Sequence, residues 1–153
     1  AMQGLRYALK GYDGRGSETA LYEALKKELG VESHQALISM IYQVDFNKMK
    51  MAALSRVVAQ IADEGDEVAR RVLKEAGDEL AHLAISVIRK LNFSKLDGFK
   101  IICAGSVLVN NDLVRSEFNG KIKLEYPQAQ VALIEKEAAW GAVKLAFKGA
   151  TIK

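Results

Sequence analysis

The chain has 153 residues, 50% of them hydrophobic, with one proline, one cysteine and a formal net charge of +3 from 22 basic and 19 acidic side chains. That is enough apolar material for one sizeable core, and too little charge bias for a disordered tail or a nucleic-acid footprint. Its apolar runs fall far short of the ~18 residues of a membrane span, no secretory leader opens it, and a lone cysteine fits a reducing compartment, so the sequence reads as a soluble cytoplasmic protein. Ala1 ahead of Met2 reads as a cloning remnant, which makes an expressed piece of a longer chain the expectation.

Met2 to Lys10 carries Leu5, Ala8 and Leu9 at helical spacing and stops at Gly11. In the loop Gly11 to Ser17, the Gly11 and Gly16 spacing imitates a phosphate-binding P-loop. Ser17, however, stands where that loop needs lysine, and a helix rather than a strand precedes it, so a helix end plus a turn is the better reading. Ser17 or Thr19 caps a helix through Leu29, with Leu21, Leu25 and Leu29 on one face and Gly30 as its stop. From Ser33 a further helix turns Ala36, Leu37, Met40 and Ile41 inward, and a break follows at Val44 to Asn47. Asn47 then caps a helix through Asp63, whose Met51, Leu54, Val57, Val58 and Ile61 recur at helical spacing; Met49 and Met51 read as gap-filling core.

Asp63, Glu64, Asp66 and Glu67 crowd one short stretch, a density that invites a metal reading. The calcium-loop spacing is missing, and a turn with Asp66 as N-cap accounts for the acids, which also favour the positive end of a helix. The next helix is the longest, about 26 residues and roughly 39 Å at ~1.5 Å each, with an apolar stripe of Ala69, Val72, Leu73, Ala76, Leu80, Leu83, Ala84, Val87, Ile88 and Leu91. His34 and His82 have no cysteine or second histidine at ligand spacing and read as surface or boundary residues.

Asn92 ends that helix, and the polar link Ser94 to Gly98 leads into Phe99 to Asn110, FKIICAGSVLVN. An apolar, β-branched run enters Gly105-Ser106-Val107, and a helical pattern resumes after Asn111: a buried strand, a tight turn and a capped helix. In an open α/β sheet, ligands sit at the carboxyl end of such a strand, against exposed backbone N–H groups and the positive end of the next helix, and a glycine lets a flat group approach. Gly105 is therefore the first candidate. Asn111 to Asn119 reads as helix closed by Gly120, Ile122 to Leu124 as a short edge strand stopped by Tyr126-Pro127, and Gln130 to Glu135 as a second sheet strand. Glu137 to Phe147 reads as a closing helix whose Ala138, Ala139, Gly141, Ala142 and Ala146 form a small-residue packing face. The fold class is α/β, mainly helical over 1–92 and strand–helix–strand–helix over 99–153.

Five pieces occur in one order: Asp13-Gly14-Arg15-Gly16 with Thr19 and Leu21; EGDxxAxxxLxxAGDELA from Glu64 to Ala81; the strand and turn IICAGSVLVN; YPxAxV from Tyr126 to Val131; and EAAWGAVKLA from Glu137 to Ala146. Together they resemble the C-terminal portion of the BadF/BadG/BcrA/BcrD ATPase and N-acetylglucosamine kinase family, within the actin, hexokinase and sugar-kinase superfamily. The resemblance implies a ribonuclease-H-like lobe with an incomplete sheet, the second of two lobes between which ATP binds with Mg2+. It puts an adenosine motif on Ile102 to Val107, with Ala104, Gly105, Ser106, Val107 and Asn110 as nucleotide-binding residues and Arg15 as a further candidate. The family's phosphate loop, second phosphate turn and catalytic aspartate have no match here, so no catalytic residue or metal ligand is assigned and the polypeptide alone is expected to be inactive. The implied partners are ATP or ADP and an amino sugar held through the missing lobe, with no nucleic acid and no membrane, and with room for a homodimer. The sugar-kinase branch competes with activator ATPases that hold an iron–sulfur cluster through cysteines; Cys103, inside the adenosine strand, favours the kinase branch. A free-standing helical interaction module is the reading from another class.

Overall fold

The computed structural model describes residues 1–41, 48–135 and 138–150. Its elements are α1 (Met2–Tyr12), α2 (Leu21–Leu29), α3 (His34–Ile41), α4 (Lys48–Asp63) and α5 (Glu67–Lys90), a 3-10 turn at Phe93–Lys95, β1 (Phe99–Cys103), α6 (Ser106–Asn110), α7 (Asp112–Glu125), β2 (Ala129–Leu133) and α8 (Ala138–Ala150). β1 and β2 pair in parallel, Phe99 opposite Ala129 and Cys103 opposite Leu133, and among the described residues they make a two-stranded sheet. No helix among those residues is long and apolar enough to cross a membrane.

Helix ends follow the chain's capping chemistry. Gly30 closes α2 in the left-handed conformation at φ 65°, and the Ser33 hydroxyl accepts the Ala36 amide, 3.1 Å, at the start of α3. Thr19 sits one residue ahead of the Ala20 N-cap of α2; its hydroxyl accepts the Leu21 amide (3.2 Å), whereas Ser17 takes no such role. α1 runs two residues past Lys10 because Gly11, where a Cβ would stand 2.7 Å from the Ser17 carbonyl oxygen, lies inside the last turn rather than ending it. The break at Val44 to Asn47 and the Asn47 cap fall outside the described residues.

Asp66 ties the helical layer together. It caps α5 by accepting the Ala69 amide at 2.8 Å, and the same carboxylate accepts the Ala20 amide (2.8 Å) and the Thr19 hydroxyl (2.9 Å). Partial burial by itself raises this carboxyl, but the bonds from Ala69, Ala20 and Thr19 outweigh it and hold the group below the usual aspartate range. The acidic turn is thus a cap and a tether, and among the described residues no three His, Cys, Asp or Glu side chains gather as a metal site.

α5 is a 24-residue rod with a core cluster at each end. Its first half packs with Leu5, Leu21, Leu25, Leu37, Leu54 and Val58; its second half packs with Phe99, Cys103, Phe118, Ile122 and Ala129, and Leu80 and Leu108 reach both clusters. The inward row on the second half is Gly77, Ala81, Ile85 and Ile88, so the sequence stripe is corrected there: Leu83, Val87 and Leu91 are 65%, 55% and 56% exposed. The reason is α7, which comes so close that a Cβ on Gly77 would lie 2.5 Å from the Val114 carbonyl oxygen and 2.8 Å from the Glu117 Cβ. Small residues, not the largest apolar ones, therefore face that partner.

α7 also replaces an expected strand. It passes through Gly120 and continues to Glu125, so Ile122 to Leu124 is helical. Gly120 faces open space and costs the helix only about 1 kcal/mol relative to alanine, whereas Val114, Phe118 and Ile122 bury one continuous face. β2 begins one residue earlier and ends two residues earlier than Gln130 to Glu135. Of the small-residue face of α8, Ala139, Gly141, Ala142 and Ala146 are exposed, and Glu137 lies outside the described residues.

Two glycines of opposite sign check this packing. In urea unfolding, Gly77→Leu lowers stability by about 1–3 kcal/mol through overpacking at α7, while Gly120→Ala, facing open space in a helix, raises it by about 0.5–1 kcal/mol. Asp66→Ala costs about 1–2 kcal/mol at neutral pH. Because the folded carboxyl is held low, its contribution is present above about pH 4 and is lost as pH falls through the folded value. Thermal melts of wild type and Asp66→Ala should therefore stay a fixed interval apart from pH 7 to 5 and converge in acid.

Candidate functional site

The parallel register brings the carboxyl ends of β1 and β2 to one edge, and the Ile134 amide donates to the Cys103 carbonyl (2.9 Å) just beyond the pairing. At that edge the chain leaves β1 through Ala104 and Gly105, and Gly105 takes φ 90°, ψ 147°, a conformation open to glycine and costly for other residues. Nothing lies within 4 Å of the position its Cβ would occupy. Ala104, Gly105, Ser106, Val107 and Asn110 are all exposed. The edge is a small-residue corner with free space beside the backbone.

β1 alternates to make this possible. Phe99 and Cys103 are buried and Ile101 half-buried toward α5 and α7, while Lys100 and Ile102 face outward with Gln130 and Ala132 of β2. Cys103 is 2% exposed; burial pushes its thiol up, with the Arg115 guanidinium pulling modestly the other way. It is a packing residue beneath the corner.

The structure brings Ala104 to Val107 and Asn110 together on one short segment and leaves Arg15 out. Arg15 is ion-paired with Asp13 beyond the C-terminal end of α1. Sequence reasoning also missed two neighbours of the corner. Ile134, 37% exposed, comes alongside through the parallel pairing, and the short helix α6 starts directly at Ser106, with the Val109 amide donating to the Gly105 carbonyl, 3.0 Å. Two apolar strands in parallel register were the available signal for Ile134; a five-residue helix is too short to carry a periodic pattern.

Two grooves lie elsewhere. One of about 750 Å3, between α1, α5 and α7, is lined by Gln3, Lys74, Glu75, Asp78, Glu79 and Glu117 among others. Two of its acids are engaged: Glu75 accepts the Tyr7 hydroxyl (2.7 Å), and Asp78 pairs with Lys121 at 2.8 Å, the contact that chiefly holds its carboxyl below the usual range. The other, about 500 Å3, lies over Gly11, Tyr12, Thr19, Tyr22 and Asp66. There Tyr12 stacks on Tyr22 and on His34, and the Tyr22 hydroxyl meets the His34 Nδ1 at 3.1 Å. His82 pairs with Asp78 on the surface (3.3 Å). Both histidines are surface or boundary residues with local partners.

Comparison with known proteins bears out the family resemblance. The family model described as the BadF/BadG/BcrA/BcrD ATPase family matches residues 1–146. The chain is 33% identical over 147 residues to the N-acetylmuramic acid/N-acetylglucosamine kinase of Clostridium acetobutylicum, an overlap of 95% of this chain and 47% of that protein. It is 30% identical over 144 residues to the N-acetyl-D-glucosamine kinase of Dictyostelium discoideum, covering 94% of this chain and 45% of that one. The chain thus spans about half the length of the curated relatives it matches. With 146 of its residues under one family model, the chain belongs to the BadF/BadG/BcrA/BcrD ATPase family.

Proposed function

We propose that this chain is the nucleotide-binding, C-terminal lobe of an ATP-dependent amino-sugar kinase of the N-acetylglucosamine kinase type, built on a ribonuclease-H-like sheet. The observation that carries the reading is the exposed corner Ala104–Val107 at the carboxyl edge of a parallel strand pair, the position where open α/β sheets receive ligands. A planar base can lie against Gly105 because no side chain occupies the space beside it, and Val107 and Ile134, 46% and 37% exposed, offer apolar area to a ring. The kinase names of two relatives favour the sugar-kinase branch, and so does a buried thiol at Cys103, which suits packing rather than cluster ligation.

The sheet supports the lobe reading. Parallel strands are ordinarily covered on both faces, and two strands rarely stand alone; here the face carrying Lys100, Ile102, Gln130 and Ala132 is exposed, as in a sheet that packs against further structure. Mg2+ reaches such sites largely through the phosphates of the nucleotide plus one or two carboxylates. The small, apolar corner suits the base and ribose. Phosphoryl transfer needs charge neutralisation and an aligned base at the phosphates. This chain supplies one wall of the site, and the phosphates and the sugar belong to the other.

Calorimetry with ADP or ATP should give saturable binding to the wild-type chain. Gly105→Ala should weaken it by roughly tenfold, since a Cβ at φ 90° strains the corner by about 1–3 kcal/mol. Gly14→Ala, at φ 73° in a loop with equally open space, also places a Cβ at positive φ and should leave affinity unchanged. Equal effects of the two substitutions, or a flat wild-type titration, would remove the corner from nucleotide binding and favour the interaction-module reading. The purified chain should show no turnover of N-acetylglucosamine with ATP.

A further inference from the structure

The corner is held from behind through α6. The last carbonyls of a helix lack partners within it, and two of those of α6 find theirs in Arg115 of α7, whose guanidinium donates to the Leu108 carbonyl (3.1 Å) and the Val109 carbonyl (2.8 Å). The same guanidinium pairs with Asp112, on the first turn of α7, and its side chain is only 25% exposed. Leu108, which packs on both core clusters, anchors the inner side of α6. Ser106, Val107 and Asn110, on the same short helix, remain exposed.

The geometry points to Arg115 as a positioning residue that latches α6 onto α7 and so fixes the corner Gly105–Val107 in its adenine-nucleotide-binding shape. The ligand half of this inference rests on the nucleotide reading above; the latch itself does not. A five-residue helix cannot hold its own conformation in water, so its shape depends on Leu108 and on the guanidinium fork. Lysine offers a point charge in place of a planar fork and cannot reach two carbonyls and a carboxylate in the same way.

The test uses the full chain and two variants, Arg115→Met and Arg115→Lys, read by amide hydrogen exchange and by ADP calorimetry. Arg115→Met should raise exchange of the Val109 amide, which donates to the Gly105 carbonyl in α6, by roughly tenfold, leave the α5 amides within about twofold, and weaken ADP by roughly tenfold, the size expected for lost charge-assisted bonds. Arg115→Lys should fall between the two on both readouts. Unchanged exchange in α6 overturns the latch. A rise spread evenly through α5 and α7 also overturns it, because that is the signature of a general stability role. Lost ADP affinity with unchanged α6 exchange overturns positioning in favour of direct contact. If the wild-type chain binds no ADP, the nucleotide reading falls while the exchange result still decides the latch. Should Arg115→Met fail to fold, Arg115→Lys carries the test, and exchange at the wild-type level overturns the proposal.

Discussion

The close approach of α5 and α7 at Gly77 is the constraint from which the rest of the arrangement follows. With no Cβ at that point, the backbone of α7 settles against α5 at Val114, and the two helices form the most extensive pairing among the described elements. That contact fixes which row of α5 faces inward, places Phe118 and Ile122 under the sheet, and leaves Leu83, Val87 and Leu91 facing away. A methyl group there would force either α7 outward or the sheet off its support. The adjoining Asp78–Lys121 and Arg89–Glu125 pairs link the same two helices, but they are exposed and add orientation more than stability.

From α7 the constraint passes to the site. The helix that packs on Gly77 also carries Arg115, which faces back onto α6, and its C-terminal end is bonded through Lys123 to the carbonyls of Pro127 (3.1 Å) and Ala129 (2.6 Å) at the start of β2. One element therefore sets the register of the strand beside β1 and the position of the corner beyond it. The corner projects from this framework with its small residues exposed and its only thiol covered. The helical layer of α1, α2 and α4 sits on the other half of α5, tethered by Asp66, and contributes rigidity rather than side chains to that corner.

Much of this was legible in the residues because the signals were local. Asp66 ahead of an apolar run, Gly30 after one, and the β-branched entry to Gly105 each specify their own conformation, and each element formed where its chemistry lies. Three features were not legible, for a shared physical reason. The phase of α5 past Gly77, the helicity of Ile122 to Leu124 and the existence of α6 all depend on a partner distant in sequence. Large apolar residues at Leu83 and Val87 outweigh Ala81 in a pattern count, yet the small residue is the one that fits α7. Gly120 looks like a stop until Phe118 and Ile122 are seen to bury on one face. The strand and tight turn at Gly105 formed where the residues place them, whereas Arg15 is ion-paired with Asp13 in the first loop.

The most direct measurement is an amide chemical-shift titration of the labelled chain with ADP. The account predicts that the resonances of Ala104 to Val107, followed by Ile134, move first and saturate together. Shifts centred on the acidic groove around Glu75 and Asp78, or spectra unchanged at millimolar ADP, would contradict it.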